Sequence, residues 1–258
     1  MTTLHGNLTM SNSAYHAADG ISSSNLSLLN ESPVHLANKH LFKYGESQTF
    51  AFGSLVHSLV LEPHKTNDEF AVMPSFDGRT KEGKALKEAF EESSNGKLLI
   101  KAEEYATAEK MALNVNSIAG GILRGGVAES SYFADDDGVL IKCRPDYYIE
   151  EHGLVIDIKT TADISEFGIR KSITNYNYSW SAAWYLRVLQ MLGLPAKKFV
   201  FVFVEKSAPH MVKIRELKTD TLESAHYDIE AMLMSYREYL STGTAKIIHD
   251  TSVFGDNS

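Results

Sequence analysis

The sequence predicts an α/β (α+β) fold, with a mixed central β-sheet flanked by helices. Three observations carry this. Helical patterning dominates the first half, strand-like runs separated by turn signals fill residues 129–160, and the β-branched, aromatic run KKFVFVFVEK follows. At 258 residues, with no internal repeat and no linker, the chain reads as one decorated domain rather than two. The expected division is a mobile N-terminus over 1–14, a single domain over 15–245 and a polar tail over 246–258.

In chain order, Ser24 caps a short helix over SNLSLLN, and Pro33 opens another over HLANKHLF. FGSLVHSLVL, Phe52 to Leu61, reads as a buried helix ended by Pro63. A short strand is expected at Phe70–Met73, then polar amphipathic helices near 81–92 and 103–118. SSYFA, VLIKCRPDYYI and LVIDIKT read as strands, broken by the polar turns DDDG and EEHG. Helices near 165–173 and 180–192 precede KKFVFVFVEK and its antiparallel neighbour MVKIREL. A last helix covers about 221–240.

Composition removes several function classes. No stretch is apolar enough to span a bilayer, and MTTLHGNLTMSNS lacks the basic and apolar regions of a signal peptide. The single cysteine, Cys143, excludes an intrachain disulfide and a Cys-rich zinc site, so a cytoplasmic protein is expected. A net charge of −8 argues against coating nucleic acid through overall charge and leaves room only for a local basic groove.

The central constellation lies on the hairpin joining YYI to LVI. If Ile149 faces Leu154, Asp146 lies across from Asp157, with Cβ atoms roughly 4.5–5.5 Å apart on one face. Lys159 shares that face by strand alternation, while Ile156 and Ile158 point to the core. Two nearby carboxylates call for a cation, and a hard divalent ion takes oxygen ligands of this kind. An adjacent ammonium can orient water or stabilise charge developing on a phosphate. The plainer reading is a solvated ion-pair cluster worth under ~1 kcal/mol. Against it, Asp157 interrupts an otherwise apolar run, LVIDIKT, where a charge lowers β-propensity.

Pro145-Asp146 followed by Asp157-x-Lys159 resembles the PD-(D/E)xK nuclease signature. The wider context is similar to the C-terminal nuclease domain of RecE, also called exonuclease VIII. The matching pieces are Tyr15-His16 with GISSSNL and Ser32-Pro33, then FGSLVHSLVLEP, CRPDYY, VIDIKTTAD and YSWSAAWY, in the family's order over roughly 15–205. That resemblance turns His57, by its surroundings an ordinary core histidine, into a metal ligand. It makes Glu129, otherwise a solvated strand-end acid, a residue at or near the metal beside Asp146 and Asp157. Tyr185, on its own a core aromatic, becomes a support for the site. The family's glutamine falls on Ser181, which leaves the geometry around the attacking water open.

The resemblance implies a PD-(D/E)xK core and Mg²⁺-dependent exodeoxyribonuclease activity, Mn²⁺ substituting. Double-stranded DNA ends would be digested 5′→3′, leaving 3′ single-stranded tails for recombination. It also implies a ring-shaped homotetramer, a RecT-type single-strand annealing partner and a bacterial or phage-encoded origin. Ser24, at a helix start that favours anions, would contact a terminal 5′-phosphate. Arg170 and Lys171 could reach the DNA backbone, or form a solvated helix face. The alternatives are an endonuclease or structure-specific repair nuclease on the same fold, or a non-catalytic DNA-binding module.

Overall fold

A computed structural model describes residues 5–42 and 48–244. The polar tail expected over 246–258 lies outside the described residues. The chain begins with β1 (Gly6–Leu8), α1 (Asn12–Ala17), a 3-10 turn at Ser23–Asn25, α2 (Leu26–Glu31) and α3 (Pro33–Ala37). Then come α4 (Gln48–Leu61), α5 (Thr66–Glu69), β2 (Phe70–Met73), α6 (Lys81–Ser93), β3 (Leu98–Lys101) and α7 (Ala102–Ala119). The central strands are β4 (Val127–Ala128), β5 (Ser131–Asp136), β6 (Val139–Cys143), β7 (Tyr147–Ile149) and β8 (Leu154–Thr161). They are followed by α8 (Glu166–Asn175), α9 (Tyr178–Met191), β9 (Lys198–Glu205), β10 (Val212–Glu216) and α10 (Thr219–Thr242).

The main sheet is mixed, in the order β10-β9-β8-β7-β4, with β8 and β9 parallel and its other pairs antiparallel. β9 shows why it lies inside the sheet rather than at an edge. Phe199, Phe201 and Phe203 pack on one face with α9 and α10, and Val200, Val202 and Val204 on the other with α4 and α7. Strand alternation thus gives two dry layers from one run. Register sets β8 beside it, Asp157 against Phe201 and Lys159 against Phe203, so both polar side chains emerge on the aromatic face. Ile156 and Ile158 fill the opposite core, as their alternation predicts.

Four expectations need correction. VLIKCRPDYYI is two strands, not one. β6 pairs with β5 in a separate three-stranded sheet, β7 joins β8 in the main sheet, and Arg144-Pro145-Asp146 makes the crossing. Proline has no N–H to give a ladder, so the break falls where it stands. Gly6–Leu8, inside the N-terminus expected to be mobile, pairs antiparallel with β5 as β1. The expected Ser24 cap is displaced: Ser22 opens the 3-10 turn, with its N–H and Oγ both on Asn25 Oδ1 at 3.0 and 3.2 Å, and Asn25 is the N-cap of α2. Last, α1 and β3 form where no element was expected; α1 is capped by Ser11, whose Oγ accepts from Ala14 N–H at 3.2 Å.

Among the described residues, no helix is long and apolar enough to cross a membrane. The helices α9 and α10 are tied to the small sheet by a buried ionic cluster. Asp136, 1% exposed, accepts from Arg187 Nε and Arg237 Nη2, both at 2.6 Å, while Arg187 also reaches Glu230 at 2.6 Å. Removing the shared anion takes the buried carboxylate from both guanidiniums and leaves Arg187 only Glu230. Asp136→Ala is therefore expected to cost about 3–5 kcal/mol in urea unfolding, the range for breaking a buried pair; an unchanged midpoint would contradict this.

Candidate metal centre

The site forms on the seam between the two larger sheets. Two neighbouring chain segments cross there, one at Glu129 between β4 and β5, the other at Pro145-Asp146 between β6 and β7. They are joined by the Glu129 N–H donating to the Asp146 carbonyl at 3.2 Å. Glu129 holds a left-handed backbone, φ 49°, uncommon for a non-glycine residue and a form of strain that concentrates at functional positions.

Asp146 is the hub. Its Oδ2 accepts the Ile158 backbone N–H at 2.7 Å and lies 3.3 Å from His57 Nδ1 on α4. It is also hydrogen-bonded to the Asp157 carboxyl. Asp157 in turn binds Lys159 Nζ through Oδ1 at 2.7 Å, and that ammonium lies 5.2 Å from the Tyr178 ring centroid. Glu129 Oε2 accepts from Arg144 Nε at 2.9 Å; Arg144 Nη1 reaches Ser131 Oγ and the Met10 carbonyl.

The electrostatics follow from burial. Burial opposes ionisation of Asp146, but the charge and hydrogen bond of His57, with Lys159, outweigh it and hold the carboxyl well below the usual range. For His57, burial works against the charged form, yet Asp146 raises the imidazole to about 9. Glu129 is pushed up to about 7, first by burial, then by Asp146, against His57 and Arg144. Asp157 also reaches about 7; burial is the main cause and Asp146 adds to it, against the pull of the Lys159 ion pair. Lys159 itself is held charged: burial opposes this, but Asp157 and Asp146 prevail.

One ligand atom from each of His57, Glu129 and Asp146 lies within 4.8 Å of the others. An imidazole nitrogen and two carboxylate oxygens suit a divalent cation, and two buried acids holding protons near neutrality mark a site short of positive charge. These residues line a cleft of about 400 Å³ together with Lys159, Tyr178, Tyr185 and Ser24. Of the remaining expected site residues, Asp157 is 2% exposed and lies behind Asp146, outside the lining. Arg170 and Lys171 are exposed on α8 and do not line the cleft, nor does Ser181.

Arg144, His16 and Tyr178 line the cleft without having been assigned a role from sequence. Arg144 carried a readable signal, since a guanidinium inside the apolar run VLIKC–PDYYI requires a carboxylate partner when buried. Tyr178 carried none, because an aromatic at helical spacing is usually core.

Residues 22–245 match the family described as a PDDEXK-like domain of unknown function (DUF3799). No curated protein matches the chain. Among solved structures, an exonuclease candidate from Eubacterium rectale superposes with a TM-score of 0.60 at 14% identity, covering 96% of this chain and 99% of that one. A phage-related exonuclease from Haemophilus somnus 129PT gives 0.38 at 12% identity, covering 90% and 100%. The first likeness shows a shared fold; the second is too loose to carry an argument.

The protonation pattern makes a testable statement about stability. His57, raised to about 9, contributes stability that is complete below its unfolded value of ~6.5 and lost as pH climbs through 9. Glu129 and Asp157, raised to about 7, add a penalty that grows from their unfolded values of ~4 up to 7. Both act in one direction. In chelator, the urea midpoint of the wild type is expected to fall relative to a His57→Gln/Asp157→Asn variant as pH goes from 5 to 9. Divalent cation should restore the wild type selectively, and a wild-type midpoint that instead rises over this interval would refute the scheme.

Proposed function

On the premise that the chain belongs to the PDDEXK-like DUF3799 family, we propose that it is a metal-dependent exodeoxyribonuclease acting on double-stranded DNA. The observation that carries this reading is the convergence of His57, Glu129 and Asp146 within 4.8 Å at a cleft that Lys159 also lines, with Asp157 paired to Lys159 and buried against Asp146. The exonuclease assignment of the Eubacterium rectale fold neighbour is consistent with it.

His57, Glu129, Asp146 and Asp157 are the ligand set for Mg²⁺, with Mn²⁺ as a substitute. Bound there, the ion supplies charge neutralisation at the phosphate and a water of lowered pKa. The side chains do the rest. Asp146 orients the His57 ring through the 3.3 Å contact. Asp157, whose carboxyl burial pushes up to about 7 with the charge of Asp146 adding to it, would be favoured in its ionised form by positive charge in the site. Lys159, held charged, acts as a donor to the attacking water and the phosphate oxygens rather than as a base. Tyr185, whose hydroxyl burial pushes far above its ordinary range, remains a neutral donor in the cleft.

The resemblance to RecE supplies the finer reading: 5′→3′ digestion leaving 3′ tails for recombination, and a homotetrameric ring working with a RecT-type annealing protein in the cytoplasm, encoded by a bacterium, a phage or a prophage. A ring would let an acidic chain confine basic character to its channel. Ser24, in the cleft wall, is the contact for a terminal 5′-phosphate.

With duplexes labelled at either end, nucleotides should be released in the order set by the 5′ terminus, and only with Mg²⁺ or Mn²⁺. Cutting of closed circles at the same rate would remove the end-dependent reading. Asp157→Ala should abolish cleavage and spare duplex binding. Lys159→Ala should lower kcat by about 10²–10³-fold, the scale for losing one donor to developing charge. Wild-type rates in either variant would show that the site lies elsewhere.

A further inference from the structure

The solvent face of α8 differs in character from this acidic chain as a whole. The helix buries Gly168 and Ile169 and exposes Phe167, Arg170 and Lys171, with Tyr176 at its C-cap. Phe167 and Tyr176 are 70% and 67% exposed. Glu166 is occupied by Lys213, at 3.3 Å, and by Arg215. The Asp163 carboxyl is hydrogen-bonded to Ser165 and feels Lys213 and Lys171. Four cations therefore stand against two acids here, in a chain of net charge −8.

The C-cap of this helix is linked to the cleft through one ring contact. Tyr176 stacks on Tyr178 with centroids 5.5 Å apart and planes 27° from parallel, and Tyr178 lines the cleft beside Lys159. The backbone holding Tyr176 is fixed. Its N–H donates to the Ser172 and Thr174 carbonyls, and Asn177 beyond it is left-handed, φ 51°. The outer side of the ring covers no core. A firmly mounted, exposed aromatic stacked on a cleft-lining tyrosine, at the end of a helix that carries Arg170 and Lys171, suits an unpaired base; paired bases are already stacked on their neighbours.

We propose that Tyr176 is a stacking platform for an unpaired nucleobase, and that Arg170 and Lys171 hold the phosphates of that single-stranded segment along α8. The inference rests on the nuclease reading and adds to it: the strand beside the site is handled single-stranded.

The test uses the full chain with Ca²⁺, fluorescein-labelled short oligo(dT), and a blunt hairpin duplex, followed by anisotropy. Tyr176→Ala should weaken oligo(dT) binding about tenfold, within the range for losing one stacked base, and leave the hairpin within about twofold. Tyr176→Trp should retain binding. The pair Arg170→Ala/Lys171→Ala should flatten the salt dependence of oligo(dT) binding by about one unit of log–log slope or more. Tyr176→Ala binding oligo(dT) like the wild type, or losing both probes equally, overturns the proposal. If the wild type cuts DNA with Mg²⁺ and Tyr176→Ala behaves normally, this inference alone fails. If the wild type binds neither probe and cuts nothing, the nuclease reading fails and takes this one with it.

Discussion

A single carboxylate, that of Asp146, ties the backbone of the central sheet to the chemistry of the cleft. Its Oδ2 takes the Ile158 N–H where the β7–β8 ladder has ended, and the same oxygen faces the His57 ring. A charged group so enclosed is tolerated only when its neighbours supply donors, and here a backbone amide, an imidazolium and a carboxylic acid do so. Removing it would take the acceptor from the Ile158 N–H, the carboxylate from His57, and from Asp157 its carboxyl partner, leaving that residue Lys159 alone. One substitution would undo both structure and site.

The position of that carboxylate is a consequence of the seam. Two antiparallel neighbours leave one sheet and enter another at the same level, and the irregular backbone there frees Glu129 and Asp146 from ladder geometry so that both can serve the cleft. Helix α9 keeps the seam closed from the aromatic side: Trp184 Nε1 donates to the Lys142 carbonyl at 3.0 Å, and Tyr178 packs on Phe201 and Phe203. A second buried cation braces the opposite wall. Lys142 Nζ donates to the Tyr15 and Ala18 carbonyls at 2.7 and 2.6 Å, holding α1 and its cleft-lining Tyr15 against β6.

Such a site destabilises the fold that carries it. Two carboxyl groups near pKa 7 and a strained glutamate are costs that a purely structural cluster would avoid. The frame offsets them elsewhere, through the paired apolar layers of β9 and the Asp136 cluster linking α9 and α10 to the small sheet.

The sequence by itself determined the elements with strong periodicity and the central pairing. Alternation in FVFVFV and LVIDIK dictates which side chains share a face, and the Ile149–Leu154 register follows from the EEHG turn. The mixed helix-and-sheet class was legible for the same reason, because periodicity is local. Tertiary structure alone decided the rest. Proline at 145 marked a break, but not that the chain would change sheets there. Nothing local to Glu129 revealed its left-handed turn, nor that Arg144 would meet it across 15 positions. His57 stood out as a candidate ligand only by resemblance, since its own helix surrounds it with apolar neighbours. Asp146 reaches it from a strand-to-strand crossing 89 residues later. Contacts of that kind depend on packing between distant segments, which no local pattern encodes.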